Sequence, residues 1–371
     1  MHYIIMLLSV VIALAVAPGW ADAKAPAASK SNLKKTVSQS VPATVVFRKI
    51  PEPREGAFTM LIPRNWIVNG GIFRVNPNSA GGTLNAIEAK IDIAIGSDSR
   101  GTVMMRRLPK VNYADGPMIP FTHGPGSNYN GAMVVRMPTV NDYLMWVFKQ
   151  MRPQATGVSV VYKEDLPKLV QTVRRMSEPL NRTITQMGMR PPEYFAGLII
   201  IEYNEGDTRF KELIYTLLVD GRGSMGVWYN DLTTAMRAPA AEADRWKPVI
   251  DIIANSVQMN PQWIAGELKG QGERTEIVRK LMNDLARIDR EIAAHRDKTR
   301  SEIMTDSYLT LTDQNDYKNP YTGKVERDTS NWKNRWVNSS GEYIYSNETG
   351  YDPNTDPDNT RHDYRLTRAL R

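Results

Sequence analysis

The residues best suited to chemistry lie in the last forty positions of the chain. The stretch WKNRWVNSSGEYIYSNETGYDPN, residues 332–354, gathers Trp332, Trp336, Tyr343 and Tyr345 among Asn, Ser and Gly. Aromatic faces beside amides suit stacking and hydrogen bonding to a sugar ring or a peptide, so these four are candidate ligand-binding residues. A structural account competes with that one. WKNRWV and EYIY flank an NSSG turn at 338–341, and cross-strand aromatic pairs are among the few devices that hold a small hairpin together in water. On the strand reading Trp332 and Trp336 share one face, and Tyr343 and Tyr345 share a face of the next strand. Just beyond, Asp352, Asn354, Asp356 and Asp358 recur at every second position, the ligand spacing of an oxygen-rich calcium loop. Pro357 stands where such a loop needs glycine, and Asp363 replaces its long terminal Glu, so an acidic turn explains the same letters.

A second cluster sits in NYADGPMIPFTHGPGSNYNG, residues 112–131, where four glycines and three prolines in 20 residues exclude a regular element. Loops of that length inside a compact domain are usually functional. His123 and Tyr129 are its candidate ligand contacts, with Asp115 and Asn128 near in sequence. A lone loop histidine is otherwise a solvated residue. No GxSxG, HExxH or phosphate-cradling glycine loop occurs, so no catalytic residue is assigned. Cysteine is absent, which excludes a thiol nucleophile, thiolate metal sites and disulfides. No cofactor is expected beyond the calcium candidate.

The elements that must position these residues begin after an N-terminal leader. An apolar run from Tyr3 to Ala17 precedes Pro18-Gly19, and Ala21-Asp22-Ala23 supplies a small-x-small cleavage pattern. That layout predicts a signal peptide over 1–23, since the run falls short of the roughly 20 residues a membrane span needs. An exported chain without disulfides is expected in the bacterial periplasm or secreted from it. Residues 24–43 hold four lysines and no acid, and read as a flexible linker. Residues 44–263 carry 25 basic and 20 acidic groups, against 9 and 9 over 264–306 and 9 and 10 over 307–371. That modest excess lacks the clustered Lys/Arg of a nucleic-acid binder, so no nucleic-acid partner is expected. No integral membrane span is expected either.

Strand patterns open the folded part: Val45–Phe47, FTMLIP at 58–63, and Trp66–Val75 with Gly70-Gly71 marking a tight turn. IEAKIDIAI at 87–95 alternates as a half-buried antiparallel strand. Two helical stretches follow, at 140–151 and after Asp165, where Pro167 suits a first turn. Three strand segments over 194–230 and a helix carrying Ala243, Trp246, Ile250, Ile253 and Val257 complete an α+β layered domain, 44–263. Residues 264–306 predict a long amphipathic helix, whose Val278, Leu281, Leu285, Ile288 and Ile292 form a heptad seam. That seam serves either packing on its own domain or an oligomer through 278–292. Residues 307–371 form a β-rich aromatic tail.

The opening FTMLIPRNW, the long antiparallel meander and the closing SVQMNPQW resemble the PsbP-like fold of photosystem extrinsic proteins, Ran-binding Mog proteins and many exported bacterial proteins. The resemblance implies an antiparallel sheet with flanking helices and a binding or assembly role. The segment from NPYTG to YDPN resembles tails of other exported bacterial proteins, which implies a module. Together these readings predict a non-catalytic cell-envelope binding or assembly factor, with an envelope protein or glycan as partner. The alternative is a small-ligand-binding or hydrolytic pocket in the α+β domain, lidded by residues 112–131.

Overall fold

The computed structural model describes residues 44–116, 119, 123–270 and 314–370. The expected leader, linker and seam at 278–292 lie outside them, as does most of the helix expected over 264–306. The described chain folds mainly as antiparallel sheet with flanking helices, an α+β arrangement. It divides into two compact units that interleave in sequence. One holds residues 52–55 and 65–250; the other holds 44–51, 56–64, 251–270 and 314–370.

Strands β1 (Thr44–Pro51) and β2 (Phe58–Pro63) belong to the second unit. The first unit begins with β3 (Ile67–Phe73), β4 (Lys90–Gly96), β5 (Met104–Arg107) and β6 (Val111–Ala114). After β7 (Asn128–Tyr129) and β8 (Ala132–Val134) come helix α1 (Val140–Met151), strand β9 (Thr156–Asp165) and helix α2 (Pro167–Gln186). Three 13-residue strands follow: β10 (Glu193–Glu205), β11 (Thr208–Asp220) and β12 (Val227–Pro239). The sheet runs β3-β4-β5-β12-β11-β10-β9, with β6 paired to β12 and β8.

Gly70-Gly71, expected as a turn, instead lies inside β3, opposite Ile93 and Asp92 of β4. Both take positive φ, 89° and 133°. The reason is close approach: a Cβ on Gly71 would stand 2.3 Å from Glu52 Oε1, which accepts the Ile72 amide at 2.7 Å. The pair therefore makes room for a carboxylate that caps an irregular stretch of strand.

Helix α1 starts at Thr139, whose hydroxyl oxygen accepts from the Asp142 amide. Its buried Tyr143, Leu144, Val147 and Phe148 pack on Ile199, Ile201 and Tyr203 of β10 and Ile214 and Leu218 of β11. Each such aliphatic or Phe side chain removed from water contributes about 1.5–3 kcal/mol. Beside this core, Glu212 is fully buried and holds Arg152 at the helix end through two bonds, Nε to Oε2 at 3.0 Å and Nη2 to Oε1 at 2.9 Å. The Tyr203 hydroxyl donates to the same carboxylate at 2.7 Å.

Helix α3 (Ala243–Asn255) carries the chain from the first unit into the second. There β13 (Gln258–Met259) and α4 (Pro261–Gly270) precede β14 (Gln314–Lys318) and β15 (Val325–Thr329). The hairpin β16 (Asn334–Val337) and β17 (Tyr343–Ser346), then β18 (Arg365–Leu366) and β19 (Arg368–Ala369), complete it. One sheet has the order β13-β2-β1-β17-β16-β18, and a small one the order β15-β14-β19. The expected hairpin around NSSG is present, but it is not a free-standing tail. Strand β17 lies between β16 and β1, with Val45 opposite Tyr345 and Phe47 opposite Tyr343. Thus residues 44–51, expected within a domain ending at 263, share a sheet with the aromatic segment. Non-local pairing of this kind leaves no trace in local pattern.

Candidate ligand-binding cleft

The first unit contains an open cleft of about 490 Å³ whose floor is aromatic. Strand pairing builds that floor over Trp228, which is fully buried and does not itself line the cleft. Trp228 on β12 faces Tyr113 on β6, and their rings stack at 4.3 Å and 18°. Helix α1 lays Tyr143 and Trp146 over them. Trp146 meets Tyr113 at 5.7 Å and Tyr143 at 5.8 Å, both edge to face. Trp228 is buried, and its indole N–H donates to the Val135 carbonyl at 2.7 Å, which fixes the ring. Trp146 is half-buried and forms part of the wall.

A backbone irregularity opens the cleft. β12 pairs with β6 over Val227–Asn230 and with β5 over Thr234–Arg237. Between these runs Leu232 adopts φ 56°, a left-handed conformation that is costly for a branched side chain and is held by its surroundings. Asp231 Oδ1 accepts the Leu232 amide at 2.7 Å and Arg107 Nη2 at 3.2 Å. The strand thereby changes partner, and Leu108 to Lys110 crosses the gap. Asn230 pins that crossing by donating to the Pro109 carbonyl at 3.0 Å and accepting the Val111 amide at 2.9 Å. Leu108, Pro109 and Val111 then line one side of the cleft.

The other side is the described end of the 112–131 loop, Gly126 to Asn128, with Met133 of β8. Asn85 holds it, donating to the carbonyls of Asn112 and Gly131 at 2.9 and 3.0 Å and accepting the Asn112 amide at 2.8 Å. Asn128 donates to the Ala80 carbonyl at 2.8 Å and accepts the Gly131 amide at 2.9 Å. Gly131 has φ 83°, and a Cβ there would stand 2.6 Å from the Gly82 carbonyl, so only glycine lets the two loops meet.

Among the described lining residues none is Asp, Glu, His, Lys or Arg. The titratable groups are two phenols. Burial pushes Tyr113 up to about 12, against a hydrogen bond with Tyr143 that pulls it down. Burial also drives Tyr143 well above its ordinary value. Both stay neutral at physiological pH. The cleft offers apolar and aromatic surface without an acid–base pair.

The candidates from sequence lie elsewhere. His123 packs edge-on against Tyr129 at 5.3 Å, and neither lines the cleft. Asp115 accepts the Met137 amide and pairs with Arg222 at 2.9 Å. In the second unit Trp332, Tyr343 and Tyr345 are buried, and Trp336 is half-buried. Trp332 precedes β16, so it does not share a strand face with Trp336. The tyrosines point onto a buried cation. Arg335 donates to Asp328 at 2.8 Å and Glu326 at 2.7 Å, and its guanidinium lies 4.5 Å from the Tyr343 ring centre. Tyr343 donates to Glu326 at 3.1 Å, and Tyr345 to Asp328. These rings serve the interior of the unit.

The Asp352–Asp358 ladder is likewise spent on turns. Asp352 Oδ1 accepts the Asn354 amide at 2.9 Å, and Asp356 Oδ1 accepts the Asp358 amide at 3.0 Å. Asn354 bonds the backbone of Tyr364 in both directions, at 3.0 and 2.7 Å. Among the described residues no three His, Asp or Glu groups converge as metal ligands. Nor is any helix among them long and apolar enough to cross a membrane.

Sequence reading missed Tyr113, Trp146, Trp228 and Arg335. Tyr143 and Trp146 lie in a stretch expected as helix, 140–151; the meeting of their rings with β6 and β12 left no sign in the sequence. No family model matches the chain, and no curated protein sequence matches it. Among solved structures, the apo immunity protein TplEi of the T6SS from Pseudomonas aeruginosa is 11% identical with a TM-score of 0.21, covering 58% of this chain and 97% of that one. A likeness that slight carries no argument about fold or role.

Proposed function

We propose that this is an exported, non-catalytic binding protein of the bacterial cell envelope, periplasmic or secreted, with the aromatic cleft of the first unit as its recognition site. The observation that carries the reading is the cleft itself. It is of ligand size, yet its described lining holds no charged side chain and no nucleophile–base pair. Hydrolysis by general acid and base would need one or both. The leader pattern at 1–23 supports export, and for an exported chain the absence of cysteine favours a bacterial setting. The long antiparallel sheet and its flanking helices are in keeping with a PsbP-like fold as expected over 44–263. The burial of Tyr343, Tyr345 and Trp332 argues for the cleft over the aromatic tail as the place of contact.

Native mass spectrometry of the full chain recovered from its envelope fraction tests binding. A bound organic molecule, released on denaturation and absent from a Met133→Trp variant, is expected. Empty protein from every growth condition, with no stabilisation in a broad ligand screen, would remove the proposal. N-terminal sequencing of the same sample tests export, with Lys24 expected as the first residue.

A further inference from the structure

We infer that the ligand of the cleft is an uncharged aromatic small molecule, an inference that rests on the cleft being a binding site. Three observations narrow the class. First, the polar side chains of the wall are mostly committed, the exposed Gln150 amide apart. Asn85 makes three bonds and Asn128 two, all to loop backbone, and Ser127 donates to the Gly124 carbonyl at 2.7 Å. A sugar ring needs several directed donors and acceptors, and these residues cannot supply them without releasing the loop.

Second, the described lining presents no fixed charge, so neither an anion nor a cation finds a counter-ion there. Third, the surface that remains sets the rings of Tyr113, Tyr143 and Trp146 against the aliphatic Leu108, Pro109, Val111 and Val147. Trp146 is edge to face with Tyr113 and Tyr143, which leaves its half-buried indole as a wall of the cleft. Met133, 49% exposed on the rim, adds a polarizable thioether. Offset and edge-on ring contacts favour a flat aromatic guest over an acyl chain, because the quadrupoles of the rings add to the area buried.

The test uses the full chain and N-phenyl-1-naphthylamine, an uncharged aromatic probe whose emission rises in apolar surroundings. Saturable binding is expected, with excitation transfer from Trp146. Trp146→Ala is expected to weaken it roughly tenfold, Trp146→Phe to retain most of it, and Met133→Trp, at an exposed position the fold tolerates, to block it. An anionic naphthalenesulfonate analogue is expected to bind more weakly at the same site. If a neutral long-chain alcohol or an oligosaccharide saturates the cleft while the naphthylamine does not, the aromatic class is overturned and the binding reading stands. If none of these probes binds, and the native protein carries no ligand, both fall. Probe binding unaffected by Met133→Trp and Trp146→Ala would place it outside the cleft and overturn the inference.

Discussion

Single residues in this protein are set by what they touch inside it, and two of them show how. Glu212 is fully buried, and its carboxylate accepts from Arg152 and Tyr203. Glu212→Gln removes the charge but keeps the volume. The expected loss is about 3–5 kcal/mol, because Arg152 is left as a half-satisfied buried cation, and urea unfolding measures it. Lys90 sits with Lys110 around Glu88, all three nearly excluded from water. Burial lowers the Lys90 ammonium to about 8, with the Glu88 charge opposing and the Lys110 charge adding to the shift. Between about pH 8 and 10.5 the unfolded chain therefore holds more protons at this site than the folded one. Stability of the first unit is expected to rise with pH across that window, by at most about 1.4 kcal/mol per unit. Buried phenols act the other way above their ordinary value of 10.0, since Tyr113 keeps its proton to about 12. Unfolding free energies from pH 7 to 11 should climb and then fall, and Lys90→Met should flatten the climb.

At the scale of elements, the informative strand is β1. It has β2 on one edge and β17 on the other, so its backbone groups are needed on both sides. Val46→Pro is expected to destabilise the second unit by about 3 kcal/mol or more, seen as lost amide protection in β17 and β2 by hydrogen exchange. Unchanged protection would mean that β1 is dispensable. How much of this was legible follows from the range of each signal. The strand in IEAKIDIAI, which forms from Lys90 and not from Ile87, the helix at 140–151, Pro167 in the first turn of α2 and the NSSG turn are local, and each appears in the fold. Gly70-Gly71 misled because a glycine pair signals positive φ, which a turn and an irregular strand share. The pairings β1–β17 and β6–β12 join distant stretches, and both the second unit's sheet and the floor of the cleft depend on them. Nothing in the spacing of Tyr113 and Trp228 announces that their rings stack.

For the whole molecule the division into interleaved units changes what truncation means. A chain ending after Trp263 looks like the removal of a tail. In the fold it deletes β17, the partner of β1, and leaves four paired positions from Thr44 to Phe47 open to solvent. Such an edge templates association. The truncated chain is expected to aggregate or to lose β1 and β2 to proteolysis, while the first unit keeps its cleft and its naphthylamine binding. Light scattering and limited proteolysis check the two parts separately. A monomeric, protease-resistant product would show that β1 does not need β17.

The same pairing has a temporal side. Thr44 and Ser346, whose hydroxyls meet at 3.1 Å, stand 302 positions apart. At ribosomal speeds of about 5–20 residues per second, the earlier strand waits on the order of 15–60 s for its neighbour to be made. Contacts of such long range also close slowly once both ends exist. A polypeptide that cannot complete its sheet during synthesis holds an unpaired strand edge for most of that time. The late meeting of β1 with the β16–β17 hairpin thus leaves the second unit's sheet open until synthesis is nearly finished.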